Sequence, residues 1–431
     1  MNFRKKGWLK KYTDYRSGQP FSVQASLVDT DPETLEKSIY NFLQPTGLLY
    51  GFPVEFPFQE EAHPTSNFYA TSDKAQLIFL DCLFGSLSAY SANFSGNSEK
   101  RFAGMCELLS AYFDSLPGSR QAAEAKKPWA WRQLFIKNTN PYERLEQNLK
   151  KHLNFSAGLT SFSVYFANSL LFLDIYGCMR YSASSVKTLP GKLAEVKAEQ
   201  QKLRVTALKL IAAAAHANGI IEKEESQIYF QFLRSANINP ELSQQLREVF
   251  DKGITLQEIE IPEVSWLAKR YFLEVAILTI MADKDVSVEE EIFLWQLCGR
   301  LNLPTAELEQ AMAALQTFLI THESTLHFFK NEIRFSFASE SLKTRIGRII
   351  SQNKDRILME LKKSSDTYAL LQKARLGPLT SDEKRKIKQQ LYAIIRNIPT
   401  LGMLQATGNM IEVSSILRML SADNNPATSL D

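Results

Sequence analysis

Two groups of charged residues in this chain have the types and spacing to do chemistry. Asp283, Asp285, Glu289, Glu290 and Glu291 place five carboxylates within nine positions. Hard cations such as calcium and magnesium take several converging oxygens, so Asp283, Asp285, Glu289 and Glu290 are candidate ligands for a divalent cation. An EF-hand loop is excluded. Counted from Asp283, the sixth position holds Val288 where glycine is needed, and the twelfth holds Leu294 where a bidentate glutamate is needed. The competing reading is an acidic helix N-terminus, which the helix dipole favours without any metal. The second group is Lys384, Arg385, Lys386 and Lys388, a dense run of cations suited to an anionic surface. His322 and His327 are five apart, which turns them roughly 140° from each other on a helix and spoils a zinc-protease pair. His216 beside a turn reads as a packed or capping residue, since no cysteine or aspartate partner for a ligand or base is identifiable. Leu189-Pro-Gly-Lys192 lacks the glycine and hydroxyl of a phosphate loop, and no GxSxG, HRD or dinucleotide fingerprint occurs. The chain therefore reads as non-enzymatic, with no identifiable small-molecule substrate.

Composition sets the frame for these groups. A length of 431 residues accommodates about three domains, and 45% hydrophobic residues supply large cores. The formal charge is only +3, too small for nucleic-acid binding by the whole protein, and sequence-specific DNA is not expected. The charge is unevenly spread. Between Asn331 and Arg396 there are fifteen Lys/Arg and seven Asp/Glu, a net of +8 that leaves −5 for the remainder. A basic module on a mildly acidic body points to a local anionic partner such as lipid head groups, RNA or an acidic protein face. Cys82, Cys106, Cys178 and Cys298 form no CxxC pair, which suits reduced, buried thiols in a cytoplasmic protein. The first residues carry charges with no apolar run behind them, unlike a signal peptide. The most apolar stretch, Leu159–Tyr181, includes Asn168 and Asp174 and reads as a core helix rather than a membrane span.

Nearly every periodic segment is helical, so the expected class is all-α. The boundaries expected are residues 1–127 for an N-terminal helical domain, 128–330 for a helical bundle and 331–431 for the basic module. Helices are expected over Pro32–Phe42 behind an Asp31 cap, over Asp73–Tyr90 and over Lys100–Leu116. Tyr50–Asn67, with three prolines among aromatics, reads as a long loop packed on the surface. The middle repeats with a period of 65 residues: LKLIAAAAHANGIIEKEE at Leu208–Glu225 aligns with LEVAILTIMADKDVSVEE at Leu273–Glu290. Ala217 falls on Ala282, Asn218 on Asp283, Ile221 on Val286 and Glu225 on Glu290. Each copy reads as an apolar helix, a polar turn, one inward aliphatic residue and a second helix opening with acids. In the basic module, Thr380-Ser-Asp-Glu383 is a capping box for a helix with an apolar stripe at Ile387, Leu391, Ile394 and Ile398. The helix before it carries Leu342, Ile346, Ile349, Ile350, Ile357 and Leu361 in a stripe that could serve as its packing partner.

The turns Ala217-Asn-Gly-Ile-Ile221 through Glu225 and Ala282-Asp-Lys-Asp-Val286 through Glu290 resemble the Ala-Asp-Gly-x-Ile-x-x-x-Glu turns of TerB-like domains, associated with tellurite resistance. The resemblance covers Asn140 to Lys330 at most, and it implies a helical bundle and suspected divalent-cation binding. Leu379-Thr-Ser-Asp-Glu-Lys, Ile387-Lys-Gln-Gln-Leu, Ile394-Ile-Arg-Asn-Ile-Pro399 and the closing Asn425–Leu430 resemble the LETM family (leucine zipper, EF-hand, transmembrane). That resemblance implies a membrane-proximal, ribosome-binding-like module. Thr400–Leu420 departs from the family's apolar segment with Gln405, Asn409, Glu412 and Arg418, so neither a span nor cation exchange is expected. The combination resembles bacterial proteins labelled biofilm-associated.

The basic run then has two readings: a helix resting on an anionic membrane through Lys384, Arg385, Lys386 and Lys388, or an amphipathic helix packed on its own domain. The function expected is a peripherally membrane-associated adaptor in bacterial envelope or stress homeostasis, cytoplasmic or on the inner face of the cytoplasmic membrane. The alternative is a soluble scaffold binding ribosomes or another protein.

Overall fold

A computed structural model describes residues 5–18, 21, 31–57, 71–89, 97–114, 140–152, 171–183, 189–282 and 286–322, with shorter stretches between 347 and 389. Among the described residues every regular element is helical, as the periodicity predicts. The chain divides into two compact units, Met1–Phe293 and Leu294–Asp431.

In the first unit, α1 spans Trp8–Ser17, α2 Pro32–Leu43, α3 Thr71–Ser88, α4 Ser98–Asp114, α5 Pro141–His152 and α6 Leu171–Ser182. They are followed by α7 (Leu189–Ala215), α8 (Lys223–Ser235), α9 (Pro240–Lys252) and α10 (Trp266–Ile280). The α2 start follows directly from sequence: Pro32 presets the first turn, and Asp31 Oδ1 accepts from the amides of Glu33 at 3.0 Å and Thr34 at 3.1 Å. Helix α7 packs against α6, α8, α9 and α10. Its last turns, Ala212–Ala215, are small and fully buried, which lets neighbours come close. Helix α10 is buried on every side apart from Trp266 and Lys269, and its mostly apolar sequence places it inside the core. Helices α1, α4 and α5 pack on one another.

As far as residue 57 the stretch after α2 is buried rather than the surface loop expected over Tyr50–Asn67, and 58–67 lie outside the described residues. Gly47 and Gly51, at φ 77° and 80°, allow two tight 3₁₀ turns, Gln44–Thr46 and Leu48–Tyr50. Leu48, Leu49, Tyr50, Phe52, Val54 and Phe56 are thereby buried. Six apolar side chains in nine residues outweigh the loop-forming Gly51 and Pro53.

Three ion pairs with buried partners lock this unit. Glu274 on α10 accepts from Arg270 Nε at 2.8 Å, from Tyr50 at 2.6 Å and from Tyr40, and Gln44 donates to Tyr50 at 3.1 Å. Arg16 donates to both oxygens of Asp81 at 2.9 and 2.5 Å, and Tyr12 adds a bond of 2.8 Å. Asp174 accepts from Arg204 and from Gln200 at 2.9 Å. Two helix N-termini are capped from other helices. Glu146 on α5 accepts from Gly7 N at 3.0 Å, and Glu36 on α2 accepts from Leu267 N at 2.8 Å. Residues of the first third and of the repeat region thus share one core.

Helix α11 spans Val288–Arg300, and the division between units falls within it. The second unit continues with α12 (Thr305–Thr321) and α13 (Lys354–Lys362). Helices α8 and α11, each 13 residues long, start 65 residues apart, as do α9 and α12. Asn237 and Asn302 follow α8 and α11 at the same offset, and both turn the chain at φ 51°. The stripe expected to run continuously through 342–361 is interrupted by a turn at Asn353, whose Nδ2 donates to the Ile349 carbonyl at 2.9 Å. Ile349, Ile350, Ile357 and Leu361 are nonetheless all buried, and Leu342 and Ile346 lie outside the described residues.

Candidate functional site

The basic segment is built as its capping box dictates. Thr380 N donates to Glu383 Oε2 at 2.9 Å, and Thr380 Oγ1 accepts from Glu383 N at 3.4 Å. Lys373 Nζ reaches Glu383 Oε1 at 2.6 Å, and this bond together with the cap holds the exposed carboxyl down to about 2. Arg385 lies 3.3 Å from Asp382 with both side chains largely in solvent, and Lys386 is exposed. Ile387, the first residue of the apolar stripe, is fully buried, and Leu379 beside the cap is buried with it. The described part therefore turns an apolar side into the protein and cations toward solvent. Lys384, Lys388, Leu391, Ile394, Ile398 and the Thr400–Leu420 segment lie outside the described residues. Among the described residues no helix is long and apolar enough to cross a membrane.

The acidic turn is organised as a helix start. Glu290 is fully buried, and its Oε2 accepts from Ser287 N at 2.7 Å while Oε1 accepts from Asn218 Nδ2 at 2.8 Å. Asn218 Oδ1 in turn holds Ile220 N at 2.8 Å, so one amide side chain ties the two turns together. In the first copy Glu225 does the equivalent job, accepting from Glu222 N at 2.9 Å. Glu289 and Glu291 are exposed, and Asp283 and Asp285 lie outside the described residues. Among the described residues no three His, Cys, Asp or Glu side chains converge as a metal site. The aliphatics expected to point inward do not: Ile221 and Val286 are 36% and 41% exposed. The buried positions at the two helix starts belong to Glu225 and Glu290, because a carboxylate that caps its own helix can be buried with its hydrogen bonds made.

His216 is a packing residue. Its Nε2 lies 2.7 Å from the Phe250 carbonyl, and its ring meets Phe250 edge-on at 5.5 Å. His322 ends α12 with its ring 4.8 Å from Phe318, and His327 lies outside the described residues. All four cysteines are free and buried, and burial pushes the Cys82, Cys106 and Cys178 thiols up, away from the thiolate a nucleophile needs.

The buried charges were not singled out by their spacing. Arg270 and Glu274 sit i, i+4 within an otherwise apolar helix, a signal readable in advance, but Tyr40 and Tyr50 are more than two hundred residues away. Burial, more than any neighbouring charge, pushes both phenols up. Arg270 and Glu274 are fully buried, so the cluster is closed to a substrate and works as a tie between α2, the turn after it and α10. Comparison of the chain with family models, with curated proteins and with solved structures finds no match.

Proposed function

We propose that the protein is a non-enzymatic adaptor that docks on an anionic surface, with the inner face of a bacterial cytoplasmic membrane as the setting, through Lys384, Arg385, Lys386 and Lys388. The observation that carries this reading is the arrangement at 379–387: Leu379 and Ile387 are buried while Arg385 and Lys386 face solvent. Such an element offers cations without needing to insert apolar side chains, each worth about 1 kcal/mol beside an anionic bilayer at low salt. In this reading the two 65-residue copies form a TerB-like interaction module, and the basic module is LETM-like. The envelope or stress setting rests on those resemblances.

The test is co-sedimentation of the full chain with anionic and with neutral vesicles at low and high salt. Binding to anionic vesicles alone, weakened by salt and lost when the four cations are reversed to glutamate with the circular dichroism unchanged, is the expected result. No sedimentation at any salt refutes membrane docking. Vesicle-independent co-purification with ribosomes would replace it by the scaffold reading.

A further inference from the structure

Asn218 and Gly219, in the turn between α7 and α8, form the only Asn-Gly pair in the sequence. Such a pair can react with itself. The backbone nitrogen of the second residue attacks the side-chain Cγ of the asparagine, and a glycine has no Cβ to crowd that approach. Gly219 sits at φ 79°, and a Cβ built on it meets nothing within 4 Å, so no neighbour closes the turn from that side. The Asn218 side chain is held at both ends. Its Oδ1 accepts from Ile220 N at 2.8 Å, and its Nδ2 donates to Glu290 Oε1 at 2.8 Å. The first bond puts a backbone donor on the atom that gains negative charge during the attack, as in an oxyanion hole. The second ties the turn of the first repeat copy to the helix start of the second, within the first unit. Gly219 N donates to the His216 carbonyl at 3.1 Å, and that bond opens for the reaction.

The Gly219 amide gives its proton to hydroxide and its nitrogen bonds to Asn218 Cγ. The Cγ–Nδ2 bond then breaks, and ammonia leaves with a proton taken from water, which regenerates the hydroxide. Water opens the resulting succinimide at either carbonyl, giving aspartate by one route and isoaspartate by the other. Overall water enters and ammonia leaves, with nothing oxidised or reduced. Both products lose Nδ2, the donor on Glu290 Oε1. Aspartate also sets its own carboxylate against that of the fully buried Glu290, and like charges at hydrogen-bond distance oppose each other's ionisation. Isoaspartate carries the main chain through the former side-chain carbonyl and moves the free carboxylate away from the place Nδ2 held.

We propose that Asn218 is a site of spontaneous deamidation, and that its conversion unties the turns of the two repeat copies from each other. The reaction draws on three consecutive residues and water, and its consequence falls on Glu290, which keeps its bond from Ser287 N but loses its link to the first copy.

The test is ageing of the full chain in mildly alkaline buffer, beside the same chain held unfolded in urea, with peptide mapping and an isoaspartate assay. In the folded chain Asn218 is expected to convert ahead of every other asparagine. The more acidic aged form, separated by ion exchange, should have its folded-to-unfolded ratio lowered at least about tenfold in urea titration. Asn218→Asp made directly should show the same loss. Adding Glu290→Gln to it should recover most of that loss, because the new amide donates to the new carboxylate while its oxygen still accepts from Ser287 N. An Asn218 that stays an amide in the folded chain while the unfolded chain converts overturns the proposal, because the turn then protects it. An aged form as stable as the parent overturns it too, as does a double variant no more stable than Asn218→Asp alone.

Discussion

Replacing Glu274 by leucine removes the acceptor on which three buried donors converge. Arg270, Tyr40 and Tyr50 all bond to that carboxylate, and Arg270 and Glu274 are fully buried. The variant leaves a guanidinium without its counter-charge in a place water does not reach. Breaking a buried pair in this one-sided way costs about 3–5 kcal/mol. The surface pair Lys6–Glu143, 3.0 Å apart with side chains 71% and 42% exposed, is the internal comparison and is worth about 0–1 kcal/mol. Each kcal/mol moves a midpoint by about 2–4 °C in domains of ordinary size, so Glu274→Leu should lower the first thermal transition by roughly 6–20 °C and Lys6→Ala by a few degrees at most. The combined variant Arg270→Met, Glu274→Leu, Tyr40→Phe removes the guanidinium, the carboxylate and one phenol together and leaves Tyr50 its bond with Gln44. It should be the more stable of the two Glu274 variants, because no buried charge is then left without its counter-charge. Amide exchange should report the loss locally, with residues 44–50 losing protection first as the turn comes free of α10. A Glu274→Leu variant within about 1 kcal/mol of the parent would refute the argument, as would a combined variant no more stable than the single one.

Asn218→Ala removes the Asn218–Glu290 bond and the hold on Ile220 N, and should cost about 1–2 kcal/mol in urea unfolding. Glu36 is expected to make stability fall as pH rises. Burial raises its carboxyl in the folded chain, so the native state holds that proton more tightly than the unfolded state. The loss begins near the ordinary carboxylate value of 4.5 and is complete above the raised one, and Glu36→Gln should flatten that part of the profile of urea midpoint against pH. Glu383 works in the opposite direction: with its carboxyl held down to about 2, its contribution is present above about 4.5 and fades as pH drops toward 2, and Lys373→Ala should shrink that slope while the Thr380 cap keeps part of it. Gly299→Ala should raise the melting point by an amount equivalent to about 0.5–1 kcal/mol, since the added methyl group meets nothing and the unfolded chain loses freedom.

Local physics was legible in the sequence, and long-range pairing was not. The Thr380–Glu383 box, the Asp31 cap and the burial of the four cysteines could be read from residue types and spacing because each depends on a few neighbouring residues or on plain hydrophobicity. The helical class follows in the same way from apolar periodicity. The partners of Glu274, Asp81 and Asp174 could not be read, because nothing local distinguishes a tyrosine or arginine that will reach a carboxylate 30, 69 or 234 residues away from one that will not. Hydropathy misled at two places. Residues 48–56 went into the core because their apolar side chains outweigh Gly51 and Pro53, and Ile221 and Val286 stayed in solvent because capping glutamates occupy the buried positions. The acidic and basic groups show the same division: sequence supplied the charges and their sign. Only the tertiary structure decided that Glu290 closes its own helix start and that Ile387 is buried beneath the basic face. Orientation depends on which face of a helix the rest of the chain has already covered, and that is settled by packing across the whole unit.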